Sequence, residues 1–253
     1  MGPKKLQQKK SLRPPKRYVQ SRLQIGGSPS NKLIKCPKCD MTYSPNNIED
    51  ITAHNAFHGT YLKGKKWSRN WGITVSATSN QLTPPPSQNS QNDRIVVVRP
   101  DHQPEVNATL EVMNIVNNEL HAPQDENDFW LDEHAKGKAF LYIKDDRAVG
   151  AVTIEPLRQG RGRWMIYDSK KLVPNVVPNF EMGISRIWVC KSQRGNNIAS
   201  KLLEAARLNT TATNMIPKSS IAWSQPTDDG GKLALKYNSV RHKSGKILLP
   251  CYI

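Results

Sequence analysis

Two cysteines and two histidines constrain this chain more tightly than anything else in it. Cys36-x2-Cys39-x14-His54-x3-His58 has the ligand spacing of a two-Cys, two-His zinc finger, slightly long in its central gap. Two thiolates from one tight turn and two imidazoles one helical turn apart can close a tetrahedron. His54 and His58, at i and i+4, share a helix face. Tyr43, Ile48 and Ile51 are the main apolar bulk, too little to fold without metal. Cys36, Cys39, His54 and His58 are therefore predicted Zn2+ ligands in a finger spanning 36–58. A DNA-reading finger exposes several polar side chains at its helix start and usually occurs in tandem. This one is single and carries Glu49 and Asp50 there, which favours a structural or protein-contact role.

Charge divides the chain around that unit. The whole carries +16, with 37 Lys+Arg against 21 Asp+Glu. Residues 1–71 hold 15 basic and three acidic residues, and 1–35 hold ten basic and no acidic ones. Residues 1–35 read as a disordered basic arm suited to nuclear import or weak non-specific DNA contact. Residues 59–93 read as a basic segment followed by a polar, Pro-rich linker, since fifteen of the eighteen residues 76–93 are Ser, Thr, Asn, Gln or Pro. No stretch approaches the roughly 20 apolar residues of a membrane span, and the start lacks a secretory signal pattern. Four cysteines do not make a disulfide scaffold at this length. A secreted or membrane role is not expected.

From Arg94 the pattern becomes that of a domain, 94–253. Arg94–Arg99 predicts a strand and Val106–Leu120 an amphipathic helix. Ala139–Ile143 and Ala148–Ile154 predict a hairpin over the turn Lys144–Arg147. Residues 158–180 look irregular and basic. Ser185–Cys190 predicts a strand, Ile198–Leu208 a helix, Ile221–Ser224 a short strand, Lys232–Tyr237 the start of a helix, and Lys246–Ile253 a final strand. This order indicates a mixed α/β (α+β) domain with a largely antiparallel sheet. Cys190 and Cys251 read as packing residues.

Within it, Ser185-Arg-Ile-Trp-Val-Cys-Lys-Ser-Gln-Arg194-Gly-Asn-Asn-Ile-Ala199 is strand, basic loop, helix. A helix N-terminus has free N–H groups and a positive dipole end suited to phosphate oxygens. Gly195, Asn196 and Asn197 tolerate the backbone conformations that bring the chain close to an anion. No Walker A or Rossmann fingerprint is present.

Arg194-x-x-Asn-Ile-Ala199 resembles the Arg/Gln-x-x-Gly-x-Gly/Ala loop of the GNAT superfamily of N-acetyltransferases, with Asn197 where most members have Gly. Asn117–Leu120, Gly160–Met165, Gly183–Val189, Trp223–Thr227 and Gly230–Ala234 resemble the sister-chromatid cohesion establishment acetyltransferases in their fungal form. The resemblance runs from about Gln20 to Ile253. It implies a GNAT fold with an N-terminal zinc finger, and a lysine N-acetyltransferase that modifies the cohesin SMC ATPase head during DNA replication, in the nucleus on chromatin. It implies acetyl-CoA lying against Ile187, Trp188 and Val189, its pyrophosphate on Arg194, Gly195, Asn196, Asn197, Ile198, Ala199 and Ser200, with Thr227, Asp228 and Asp229 in a further contact. It maps Ser185, Glu204 and Gln225 onto positions tied to lysine binding or catalysis. Gln225 stands where animal members have Asp and cannot act as a base. Glu204, two turns into the helix, is the candidate base. Gly162 and Trp164 are open between substrate contact and a structural loop role. Gln20-Ser-Arg-Leu23 is similar to a shortened docking peptide for the replication sliding clamp (PCNA), with Gln20 and Leu23 as its anchors. Two other readings stand: a zinc-finger DNA-binding regulator with a ligand-sensing α/β domain, and a small-amine acetyltransferase.

Overall fold

The computed structural model describes residues 33–77, 93–122, 137–211 and 215–253. The arm with Gln20 and Leu23 and most of the Pro-rich tract lie outside them.

The finger starts with two short antiparallel strands, β1 (Ile34–Lys35) and β2 (Thr42–Tyr43). Helix α1 (Ile48–Lys63) follows. Asn47 caps it, its side chain accepting the N–H of Glu49 at 2.8 Å. Asp50 turns back to accept the Ser44 N–H at 3.0 Å. Both acids at the helix start thus sit where the helix dipole favours them. Ile48, expected in the small core, is 74% exposed; as the first helical residue it points away from the metal face. Instead Tyr43 stacks on the His54 ring at 4.0 Å.

The helix runs past the expected finger boundary and the chain continues straight into the sheet. Strand β3 (Lys65–Lys66) pairs with the start of β7 (Arg147–Pro156), and β4 (Ile73–Val75) pairs with β5 (Arg94–Val97). The described part of the expected linker is therefore folded. Trp67 is buried and stacks edge-on against Trp71. Gly64 makes the turn at φ 79°, where a Cβ would lie 2.3 Å from the Ala148 carbonyl oxygen. A fully buried carboxylate, Glu105 of α2 (Gln103–Leu120), accepts the Gly72 N–H at 2.8 Å and the Arg99 N–H and Nε–H at 2.9 Å. Polar and basic sequence hid these strands, because long-range partners rather than apolar periodicity hold them.

The remaining elements are β6 (Lys138–Lys144), β8 (Gly162–Ile166), β9 (Met182–Val189), α3 (Ile198–Asn209), β10 (Ile221–Trp223), α4 (Asp228–Asn238), β11 (Val240–Arg241) and β12 (Ile247–Tyr252). Asp145 and Asp146, both at positive φ, turn the predicted β6–β7 hairpin. The main path through the sheet is β11-β12-β10-β9-β7-β6-β5-β4, with β8 on the other edge of β12. It is antiparallel except where β10 lies between β9 and β12. Strand β8 lies in the stretch expected to be irregular. Its half-exposed Arg-Trp pattern gave no apolar run, and pairing with β12 holds it. The last helix begins four residues before Lys232, because Thr227 caps it by accepting the Gly230 N–H.

Helix α3 crosses one face of the sheet over Gly150, where a Cβ would meet Ile198 at 2.9 Å and Leu202 at 3.1 Å. Helix α2 covers the other face, where the Trp188 indole N–H reaches Glu119 at 2.6 Å. Cys190 and Cys251 are buried, and burial pushes both thiols up, Cys251 to about 12.

Candidate active site

Strand β9 has two neighbours for only half its length. Its pairing with β10 stops at Ile184, whose carbonyl accepts the Ser224 N–H at 3.0 Å. Its pairing with β7 continues to Val189. Between Thr153 and Ile154 the β7–β9 register shifts, leaving Ser185 as an extra residue in a bulge. The Cys190 N–H bonds the Val149 carbonyl on β7. Alternation back from that bond turns the peptide groups of Trp188 toward β7 and those of Ile187 and Val189 toward the open edge. A row of strand donors and acceptors thus faces a cleft of ≈ 970 Å³.

The far wall of the cleft is the loop after β9. A single 3-10 turn, Lys191–Gln193, leads to Arg194, then Gly195 at φ 84° and Asn197 at φ 59°. Asn197 is the N-cap of α3 but gives no side-chain cap. The first intrahelical bond is Lys201 N–H to the Asn197 carbonyl, so the N–H groups of Ile198, Ala199 and Ser200 have no partner within the helix. Arg194, Gly195, Asn197, Ile198, Ala199 and Ser200 all line the cleft. Asn196 does not; it braces the loop by donating to the Gln193 carbonyl at 3.2 Å. Thr227 and Asp229 also line it, whereas Asp228 is outside the lining. Asp229 pairs with Lys232 at 2.9 Å, which holds its carboxyl below the usual range.

The loop is held from α2 and α1. Arg194 donates from Nε to the Val189 carbonyl at 2.9 Å and pairs with Glu119. Glu119 also holds Trp188, and Tyr61 of α1 lies beside it. Lys191 reaches the Lys38 carbonyl in the finger at 3.2 Å. The finger is therefore packed directly against the segment that leads into the loop. Asn117 accepts from Arg186 Nε at 3.1 Å. These contacts give the Asn117–Leu120 motif its physical reason.

At the other end of the cleft lie Ser185 and Gln225, as expected, and three residues that sequence reasoning missed: Glu155, Arg161 and Tyr252. The Ser185 carbonyl accepts the Ser224 hydroxyl at 2.7 Å. Arg161 pairs with Glu155 at 2.7 Å and lies over the Tyr252 ring at 5.0 Å. Gly183 makes room for that ring; a Cβ there would lie 2.8 Å from it. Glu204 is absent from the cleft lining. Its carboxylate pairs with Arg207 at 2.6 Å and Lys218 at 3.1 Å and faces Tyr237, behind Trp223. Burial opposes its ionisation, but those cations win and hold its carboxyl below the usual range. A carboxylate neutralised away from the cleft is not placed to take a substrate proton. Gly162 and Trp164 pack against the Pro178–Phe180 stretch, a structural role.

The metal ligands converge as spaced. One ligand atom from each of Cys36, Cys39, His54 and His58 lies within 4.8 Å of the others. Cys36 Sγ is 3.4 Å from His58 Nδ1. The buried His54 Nε2 has no protein partner, a deficit that a metal ion removes. Backbone N–H groups of Cys39 and Lys38 pull the Cys36 thiol down to about 6, easing the thiolate form that zinc requires. The donor set fits Zn2+.

Comparison with known proteins agrees with this geometry. Residues 179–245 match the model described as ESCO1/2 acetyl-transferase, residues 20–60 the zinc-finger of acetyl-transferase ESCO, and residues 107–208 the acetyltransferase (GNAT) family. The chain is 49% identical to the N-acetyltransferase ECO1 of Candida glabrata over 94% of this chain and 95% of that one. It is 48% identical to the N-acetyltransferase ECO1 of Saccharomyces cerevisiae over the full length of both. Its fold is similar to the xEco2 acetyltransferase domain bound to a K105-CoA conjugate, with a TM-score of 0.52 and 22% identity over 72% of this chain and 99% of that one.

Proposed function

This chain belongs to the ECO1/ESCO family of acetyltransferases, and from that premise we propose that it acetylates a lysine on the ATPase head of a cohesin SMC subunit to establish sister-chromatid cohesion. The enzyme is an acetyltransferase that uses acetyl-CoA and carries Zn2+ in its finger. It works in the nucleus, on chromatin, with Gln20 and Leu23 docking it to the replication sliding clamp and the arm adding weak, salt-sensitive DNA contact.

The observation that carries this reading is the open edge of β9 beyond Ile184, ending at the N-terminus of α3. Acetyl-CoA supplies the thioester. The N–H and carbonyl of Ile187 and the N–H of Val189, whose carbonyl Arg194 holds, bind its extended arm as a strand partner would. The free N–H groups of Ile198, Ala199 and Ser200 receive the pyrophosphate, with Gly195 and Asn197 keeping the approach clear and Arg194 adding charge. Trp188 supports the strand from the opposite face, and Asn196 and Asp228 shape the two loops. Thr227 and Asp229 close the outer wall. Ser185 and Gln225 meet the substrate lysine at the inner end, where Gln225 offers hydrogen bonds but no base. Glu204 buttresses α3 against α4.

Incubation with acetyl-CoA and a cohesin head domain, followed by mass spectrometry, tests the reading. Acetylated lysine on the head is expected. Turnover of small amines with an unmodified head would favour the small-amine reading instead. A melting temperature raised by DNA and not by acetyl-CoA would favour the regulator.

A further inference from the structure

Helix α2 ends with a side chain that its own dipole disfavours. The last turn of a helix carries a partial negative charge, which suits cations. That turn of α2 holds Glu119 and no basic residue. The Glu119 side chain is nevertheless only 19% exposed. Its partners lie off the helix and far along the chain. Oε2 accepts the Trp188 indole N–H at 2.6 Å, and Oε1 pairs with Nη2 of Arg194. Arg194 in turn donates from Nε to the Val189 carbonyl at 2.9 Å. One carboxylate therefore fixes the last two residues of β9, Trp188 directly and Val189 through Arg194. Nothing in the helix itself calls for an acid at this position; the two contacts beyond it do.

We propose that Glu119 is a positioning residue for acetyl-CoA, acting through Arg194. This rests on the reading of the β9 edge and the α3 N-terminus as the acetyl-CoA site. A guanidinium is planar and carries five N–H donors in a fixed fork. Two anchors set that plane, the Val189 carbonyl on Nε and Glu119 on Nη2. Nη1 has no protein partner among the described residues, and Arg194 lines the cleft. The two N–H groups of Nη1 are thus left for phosphate oxygens. A clamped arginine has already given up its rotamer freedom, so the anion does not have to order it. Charge alone argues the other way. Acetyl-CoA is an anion, and a carboxylate next to Arg194 repels it and neutralises the arginine, so removing that carboxylate should tighten binding. Orientation by Glu119 gives the opposite sign: removal weakens binding.

The test is calorimetric titration of acetyl-CoA into the full chain as wild type, Glu119→Gln, Arg194→Gln and the double variant, with amide hydrogen exchange of wild type alongside. Gln at 119 can still accept the Trp188 indole N–H, so Glu119→Gln isolates the arm through Arg194. It should weaken acetyl-CoA binding about 10-fold, the order of one lost charge-assisted hydrogen bond. Arg194→Gln should cost at least as much, and the double variant no more than Arg194→Gln alone, because Glu119 acts only through that side chain. Binding by Glu119→Gln as tight as wild type or tighter overturns the positioning role. So does a double variant that loses the product of the two single losses, which would mark Glu119 as a support independent of Arg194. If acetyl-CoA leaves exchange at Ile198, Ala199 and Ser200 of wild type unchanged, the placement of the pyrophosphate fails and the role of Glu119 with it. Slowed exchange there with full affinity in Glu119→Gln overturns the role of Glu119 alone.

Discussion

Replacing Gly150, which does not itself line the cleft, by Ala should weaken acetyl-CoA binding. The added Cβ would lie 2.9 Å from Ile198 Cγ2, 3.1 Å from Leu202 Cδ1 and 3.3 Å from the Trp188 carbonyl oxygen. Carbon contacts settle near 3.5–4.0 Å. Leu202 can swing its tip aside, but Ile198 is β-branched and stiff at χ1. The first turn of α3 must therefore move by roughly 0.6–1 Å. Such overpacking costs about 1–3 kcal/mol, which lowers Tm by roughly 2–4 °C per kcal/mol in a protein of this size. The same shift lengthens the N–H contacts of Ile198, Ala199 and Ser200 to the pyrophosphate beyond good hydrogen-bonding range. Loss of one such charged hydrogen bond, worth about 1.5–3 kcal/mol, weakens binding roughly 10- to 100-fold. Calorimetric titration with acetyl-CoA, beside a thermal melt, measures both effects. Affinity within about twofold of wild type, with an unchanged melt, would refute the placement of α3 on Gly150 as the support of the phosphate site.

Glu105→Gln should destabilise the fold by about 3–5 kcal/mol, since it strips a buried, paired charge from Arg99; urea melts at pH 7 read this. Burial alone would raise the Glu105 carboxyl, but the hydrogen bonds from Arg99 and Gly72 hold it below its ordinary 4.5. Its contribution is therefore present above about pH 4.5 and lost as pH falls through the folded value, so wild type should lose stability on acidification more steeply than the variant. Glu204→Gln should lower Tm by a few degrees through its partly exposed pairs with Arg207 and Lys218 yet keep turnover per folded molecule; a hundredfold loss of kcat with an intact fold would restore it as a base. Cys36→Ser should remove zinc from purified protein, as read by elemental analysis, and chelation should loosen the loop that Lys191 ties to the finger.

Several elements were legible because local chemistry alone determines them. The finger's ligand spacing, the β6–β7 hairpin with its Asp-Asp turn, and the apolar strand running into a Gly/Asn loop and helix each fold as their residues dictate. Strands β3, β4 and β8 were not legible. Their residues are polar or half-exposed, and only partners far along the chain hold them. Glu204 shows the limit of helical spacing. Seven residues past Asn197 it lies about 10 Å further along the axis, under α4 rather than at the cleft. Glu155 and Tyr252 come together through a glycine on a third strand, a contact that no local pattern records.

Amide hydrogen exchange at Ile187 and Val189 tests most directly the claim that the open edge of β9 is the acetyl-CoA site. Their N–H groups face the cleft, so exchange without cofactor should be fast for residues within a sheet. Saturating acetyl-CoA should slow both, together with Ile198, Ala199 and Ser200, and leave Trp188, already bonded to β7, unchanged. Slowing at Thr227 and Asp229 alone, with Ile187 and Val189 exchanging as before, would contradict the account.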